Sequence, residues 1–163
     1  MTRAWVALGS NLDDPQRQLD AALEAMRALP DTTVAGCSPR YWTEPVGDSD
    51  QPEFLNAVAA LDTSMSASAV LTGLQRIEAE QGRQRDGRRF GPRTLDLDLL
   101  VFGAETVETP RLTLPHPRMA ERAFVLRPLA DLAPELAVPG LGTVSELLAA
   151  VSCDGVRRAE TSA

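Results

Sequence analysis

Two aspartates separated by one residue, Asp96 and Asp98, sit in the run Leu95-Asp96-Leu97-Asp98-Leu99-Leu100. The alternation is that of a strand, so both carboxylates point to one face and the leucines to the other. At a rise of about 3.3 Å per residue, their Cα atoms lie roughly 6–7 Å apart. Carboxylates that close disfavour each other's ionisation, and a divalent cation beside them removes that cost. Magnesium suits the pair, because it takes one or two carboxylates and fills its other positions with water and phosphate oxygens. Taken alone, the pattern also fits a half-exposed strand whose outer face happens to be acidic.

The segment feeding that strand carries five arginines: Arg83, Arg85, Arg88, Arg89 and Arg93. Guanidinium forks match phosphate oxygens with paired hydrogen bonds, so arginine clamps a polyphosphate well. Cations beside a metal-binding pair oppose the metal unless an anion lies between them. A triphosphate bridging arginines and magnesium satisfies both groups. A glycine-punctuated charged loop is also compatible with plain solvation, and RNA is a second ligand for clustered arginines. The RNA reading lacks support: the net charge is -7, the aromatics are Phe 4, Trp 2 and Tyr 1, and only Phe90 lies in the loop.

Composition removes several other chemistries. All 16 basic residues are arginine, which excludes a P-loop lysine, the strand lysine of protein kinases and Schiff-base catalysis through lysine. Cys37 and Cys153 are far apart and His116 is the one histidine, so a protein-only zinc site is not expected and a reduced compartment fits. With 163 residues, 44% hydrophobic and 24% charged, residues 1–163 read as a single domain with a real core. The N-terminal apolar run is too short and too polar for a signal peptide, and no run reaches transmembrane length. A cytoplasmic monomer is expected.

The elements that must position these residues follow from periodicity. Ala4–Leu8 reads as a strand ending in a turn at Gly9-Ser10-Asn11. Asp14-Pro15 starts a helix with Leu19, Ala22, Leu23, Met26 and Leu29 on one face, stopped by Pro30. A second strand spans about Thr32 to Trp42, interrupted by Pro39, and Thr43–Glu53 is a long loop. Phe54–Leu61 is a third strand. A helix from about Ser68 to Gln81 follows, with Ser64 or Ser66 as cap, Val70, Leu74 and Ile77 on one face, and Gly82 past its end. Leu95–Phe102 is the fourth strand, and the Pro-rich remainder holds short helices, the last near Val144 to Val151. The order is the α+β, ferredoxin-like βαββαβ plan, an antiparallel sheet with helices on one face, plus a C-terminal extension.

The stretch Arg89-Phe90-Gly91-Pro92-Arg93-Thr94-Leu95-Asp96-Leu97-Asp98-Leu99-Leu100 resembles the signature of the hydroxymethyldihydropterin pyrophosphokinases. Gly9-Ser10-Asn11-Leu12 is similar to the family's opening motif, Tyr41 to Gly47 and Gln51 to Ala57 to its pterin segments. Gln75 to Gly82 is similar to its ATP-side helix end, and Leu112 to His116 to the segment beyond the strand. The resemblance implies transfer of diphosphate from ATP to a pterin hydroxymethyl group, with two Mg2+ ions held by Asp96 and Asp98. It implies that Arg83 and Arg93 close over the phosphates. Leu71, Gln75, Glu78, Arg85, Arg89, Arg93, Leu99, Arg111, Thr113, His116 and Arg122 would surround ATP. Thr43, Pro45, Val46, Phe54, Asn56, Phe90 and Phe124 would hold the pterin.

Read without the resemblance, Phe54 and Phe124 also serve as core residues, Asn56 as a buried amide and His116 as a corner between prolines. Phe90 stands where many relatives have Trp, Phe54 where Tyr is common, Pro117 where some have Tyr, and Glu44 at an apolar or Pro position. The competing class is a non-catalytic nucleotide- or RNA-binding module on the same fold, which need not keep both Asp96 and Asp98.

Overall fold

The computed structural model describes residues 1–11, 14–43, 53–83 and 95–159. Ten strands and four α-helices appear there: β1 (Thr2–Ser10), α1 (Pro15–Arg27), β2 (Thr32–Cys37), β3 (Tyr41–Thr43), β4 (Phe54–Thr63), α2 (Ala67–Arg83) and β5 (Leu95–Phe102) form the N-terminal part. The rest is β6 (Val107–Glu108), β7 (Thr113–Leu114), a 3-10 turn at Met119–Glu121, α3 (Ala123–Leu132), β8 (Ala137–Val138), β9 (Gly142–Thr143), α4 (Val144–Ala149) and β10 (Val156–Arg158).

The main sheet runs β10-β3-β4-β1-β5, with β2 also on β4, and every pairing is antiparallel. Strands β2 and β3 follow one another along β4, so together they form the second strand of the expected βαββαβ plan. The break around Pro39 is bridged by Ser38, whose amide donates to the Val58 carbonyl at 2.8 Å and whose Oγ accepts from the Val58 amide at 2.9 Å. A proline cannot donate to the ladder, and beside it the serine hydroxyl stands in for a backbone carbonyl as the acceptor for the Val58 amide.

Helices α1 and α2 cover one face. Leu19, Ala22, Leu23 and Met26 of α1 and Val70, Leu74 and Ile77 of α2 pack on Ala4, Val6 and Leu8 of β1 and on Leu55, Ala57, Ala59 and Leu61 of β4. The spacing of both helical sets is the i, i+3/i+4, i+7 stripe of an amphipathic helix. Asp14 caps α1, its side chain accepting from the Arg17 amide, with Pro15 in the first turn. Ser66 caps α2, its Oγ accepting from Ala69 at 3.1 Å. Helix α2 runs to Arg83, so Gly82 is inside the helix rather than beyond it.

Helices lie on both faces, not on one as expected. Trp5, Ala7, Val58, Ala60, Leu100 and Val101 form a second apolar surface, which Met119, Val125, Leu126, Leu129, Val138 and Val144 of the C-terminal extension cover. The physical reason is in the strands: β1 and β4 are apolar at consecutive positions, and a sheet buried on both faces needs two layers. At the register shift beside Trp5 and Val6, Leu100 is the extra residue, so Leu100 and Val101 both join the second layer and Phe102 turns to the first. Among the described residues no helix is long and apolar enough to cross a membrane.

Candidate active site

The second face changes character at one end. Moving along three neighbouring strands, Val58 gives way to Asn56, Ala7 to Gly9, and Leu100 to Asp98 and Asp96. Asn56 and Asp96 both sit opposite Gly9 in the ladder, and Asp98 sits opposite Ala7. Strands about 4.8 Å apart put the Asn56 and Asp96 Cα atoms roughly 10 Å from each other across the glycine. Tyr41 and Thr43 of β3 extend the same face, paired with Asn56 and Phe54.

Gly9 is a strand residue, not the turn residue that the sequence suggests. A Cβ built on it would lie 2.8 Å from Asn56 Oδ1, so the glycine exists to let the amide lean across it. Asn56 Nδ2 donates to Thr43 Oγ1 at 2.7 Å and approaches the Phe54 carbonyl at 3.5 Å. A carbonyl takes only a donor, which fixes the orientation of the amide and leaves Oδ1 over the bare glycine floor. Asn56 is buried, and Thr43 with it.

The carboxylates reach the surface. Asp96 is exposed, and the Asp98 side chain keeps 39% of its exposure. Arg122, just before α3, brings Nη1 to 3.9 Å from Asp98 Oδ2 and holds its guanidinium 5.7 Å from the Phe124 ring centroid. Helix α3 therefore delivers one cation and one aromatic ring above the polar end of the sheet.

A cavity of about 220 Å³ opens along the outer edge of β5, lined by Leu71, Leu97, Asp98, Leu99, Arg111, Thr113 and His116 among others. Glu78 of α2 accepts from the Leu97 amide at 2.7 Å. Because an antiparallel strand alternates its hydrogen-bonding edge, the Leu99 amide and carbonyl share that outer edge with Leu97. Leu71, Gln75 and Glu78 fall at i, i+4 and i+7 on the α2 stripe facing this edge. Gln75 is exposed and does not line the cavity. The Arg111 guanidinium donates to Ser68 Oγ at 3.0 Å and to Thr72 Oγ1, which holds it against α2 at the cavity wall.

Electrostatics follow from burial. Burial pushes the His116 imidazole below its usual range; Asp98 draws it back up, and Arg122 and Arg118 press it down. Its Nδ1 accepts from the Arg118 amide at 3.1 Å, so the neutral ring carries its proton on Nε2. Burial likewise lifts the Glu78 carboxyl; the bond from Leu97 opposes the rise, and Asp96 and Asp98 add to it. The folded state thus holds the Glu78 proton more tightly than the unfolded chain. Stability falls as pH rises from the ordinary value of 4.5 through the raised one. Glu78→Gln keeps an acceptor for Leu97 and carries no charge. In metal-free protein it is expected to melt at or above wild type at pH 7 and to lose that margin near pH 4. Thermal melts at both pH values check this; a Glu78→Gln melting point well below wild type at pH 7 contradicts it.

Among the described residues no group of three or more His, Cys, Asp or Glu side chains could enclose a metal. Two carboxylates on one accessible face fit an ion that takes its other oxygens from water and phosphates, as magnesium does.

Of the expected site residues, Leu71, Leu99, Arg111, Thr113 and His116 meet in the cavity with Asp98. Thr43, Phe54, Asn56 and Asp96 share the second face by register, with Arg122 and Phe124 at the head of α3. Arg85, Arg89, Phe90, Arg93, Pro45 and Val46 lie outside the described residues, as does the side chain of Arg83. Sequence reading missed the part played by Gly9, whose signal was a glycine inside an apolar strand pattern.

The model of the 7,8-dihydro-6-hydroxymethylpterin-pyrophosphokinase (HPPK) family matches residues 5–134. The Pseudomonas aeruginosa 2-amino-4-hydroxy-6-hydroxymethyldihydropteridine pyrophosphokinase is 53% identical over 156 residues, covering 96% of each chain. The Haemophilus influenzae protein of the same name is 47% identical over 148 residues, covering 91% of this chain and 92% of its own. A solved Plasmodium falciparum HPPK-DHPS chain shares the fold at TM-score 0.71 and 13% identity, over 91% of this chain and 45% of its own longer one. With the matching model over most of its length and relatives this similar over theirs, the chain belongs to the 7,8-dihydro-6-hydroxymethylpterin-pyrophosphokinase family.

Proposed function

We propose that this chain transfers diphosphate from ATP to the hydroxymethyl oxygen of 6-hydroxymethyl-7,8-dihydropterin, a step of folate biosynthesis. The hydroxymethyl oxygen bonds to the β-phosphorus and releases its proton to water, the bond from that phosphorus to the α-phosphate oxygen breaks, and AMP leaves with that oxygen. The observation that carries this reading is the position of Asp98, which lines the cavity on the edge of β5 and belongs to the face that bears Asn56. A nucleotide in the cavity and a flat polar heterocycle over Gly9 would meet at the carboxylates.

Asp96 and Asp98 would hold two magnesium ions, which supply charge neutralisation of the triphosphate and fix its geometry. The protein's own residues do the positioning. The outward amide and carbonyl of Leu99 offer a hydrogen-bonding edge to the base, with Leu71 and Thr113 beside it. His116 and Arg122 are donors close to Asp98, where phosphate oxygens would replace the carboxylate as the arginine's partner. Arg111 is held ready at the wall by Ser68 and Thr72. Arg83 and Arg93 would act on the charge of the transferring group, with Gln75, Glu78, Arg85 and Arg89 around the nucleotide. Asn56 Oδ1 would accept from the pterin edge while Thr43 holds its Nδ2; Phe54 and Phe124 would offer aromatic faces, and Phe90, Pro45 and Val46 would complete the pterin side. A binding module without chemistry has no use for a carboxylate pair that joins a cavity wall, through Asp98, to the face that bears Asn56.

The test is AMP formation from ATP in the presence of magnesium, with and without the pterin. AMP is expected only when magnesium, ATP and pterin are all present. AMP formed at the same rate without pterin, or ADP in its place, contradicts the reading.

A further inference from the structure

Tyr41 lies next to Asn56 in the ladder and is 3% exposed. Its hydroxyl donates to Asp131, near the C-terminal end of α3. Asp131 is itself braced by Arg127, whose Nη2 lies 3.4 Å from Asp131 Oδ1 and whose guanidinium sits 5.9 Å from the Tyr41 ring centroid. The Asp131 side chain keeps only 20% of its exposure. None of the three is among the individual residues assigned above to nucleotide, metal or pterin, although Tyr41 opens a segment that resembles one of the family's pterin segments.

The geometry of α3 gives this cluster its consequence. Phe124, Arg127 and Asp131 fall at i, i+3 and i+7 and share one stripe of the helix. Tyr41 and Asn56 share one row of the sheet. A bond from that row to that stripe sets the gap between the Asn56 amide and the Phe124 ring. Such a tie is needed because Pro128 sits inside α3. Proline has no amide hydrogen, so the carbonyl four residues earlier, that of Phe124, lacks its helical donor. Helical hydrogen bonding is weakest where the ring is mounted, and tertiary contacts must orient that turn. Arg122 toward Asp98 holds one end of the helix and Tyr41 to Asp131 the other.

We propose that Tyr41 and Asp131 are positioning residues that set the spacing of the pterin pocket and act on pterin binding alone, leaving the nucleotide cavity unaffected. The proposal rests on the reading of Thr43, Asn56 and Phe124 as the pterin side. The nucleotide cavity lies on the far edge of β5, walled by α2 and the 110–117 segment; α3 reaches it only through Arg122, at the end of the helix opposite Asp131.

The experiment measures the dissociation constants of 6-hydroxymethyl-7,8-dihydropterin and of an α,β-methylene ATP analogue, by pterin fluorescence and calorimetry, together with the KM of each substrate. Tyr41→Phe removes one hydroxyl and keeps the ring in the core. It is expected to weaken pterin binding about tenfold, the size of one hydrogen bond to a charged group, and to leave nucleotide binding within about twofold. Asp131→Asn keeps an acceptor for the hydroxyl and is expected to stay within about threefold of wild type for both ligands, whereas Asp131→Ala should match Tyr41→Phe. Equal weakening of pterin and nucleotide in Tyr41→Phe, or no weakening of pterin, overturns the proposal. Asn56→Ala separates it from the reading beneath it: if that variant binds pterin normally, the pterin assignment itself is wrong. If Asn56→Ala weakens pterin and Tyr41→Phe does not, only the positioning role is lost.

Discussion

Asp98→Ala is expected to lower the turnover number by a factor on the order of 10³ or more, about 4 kcal/mol of transition-state stabilisation, while the protein stays folded. The size follows from what the carboxylate does in two places. It lines the nucleotide cavity and, opposite Ala7, belongs to the face of Asn56 and Asp96. The Glu78 carboxylate is tied to the Leu97 amide, so Asp96 would be the one carboxylate left to hold the two proposed cations. Asp96→Ala should fall in the same range. Stability should not suffer, because each carboxylate is exposed enough to be solvated and removing either relieves repulsion with its neighbour and with Glu78. Steady-state AMP formation and a thermal melt together check this. Turnover within tenfold of wild type in either variant contradicts the assignment of the metal pair.

Gly9→Ala is expected to raise the pterin KM at least tenfold with little change in the ATP KM. The new Cβ would fall 2.8 Å from Asn56 Oδ1, closer than real Cβ contacts come, and the backbone of β1 is locked between β4 and β5. The amide must therefore swing away, and its 2.7 Å bond to Thr43 Oγ1 is lost with it. One buried amide with a displaced partner costs about 1–3 kcal/mol, which appears both in the melting point and in the affinity for a ligand that the amide reads. Gly36→Ala is the matched control, also in a strand, where the nearest atom to a new Cβ is Leu132 Cδ2 at 3.9 Å. It should leave both KM values unchanged. Paired titrations of the two variants decide the point: equal effects, or none from Gly9→Ala, remove the steric account of Asn56.

How far the sequence could be read depended on whether a feature is local. The period-two alternation of Leu95–Phe102 places Asp96 and Asp98 on one face without any tertiary information, and the helical stripes of α1 and α2 are equally self-contained. The βαββαβ order follows from these. Gly9 looked like a turn because glycine after an apolar run usually is one; its reason is a side chain 47 positions away in the chain, which no window over β1 contains. Tyr41 and Asp131 are 90 residues apart, and no local pattern links the one tyrosine to that aspartate. The second layer was legible in principle, since Ala4–Leu8 is apolar at every position, but the short proline-broken helices that cover it have weak periodicity. The division of the second strand came from Pro39, while its repair by Ser38 required the partner strand. Leu71, Leu99, Arg111, Thr113 and His116 entered through the family resemblance, and their convergence on one cavity edge is a property of the fold.

Attack on the β-phosphorus at this junction would move the two outer phosphates together. The direct measurement is the fate of label from [γ-32P]ATP incubated with wild-type protein, magnesium and 6-hydroxymethyl-7,8-dihydropterin. Label is expected in a diphosphorylated pterin, with one AMP formed for each and no ADP. Label recovered as inorganic phosphate with ADP, or retained in ATP while the nucleotide is bound, would contradict it.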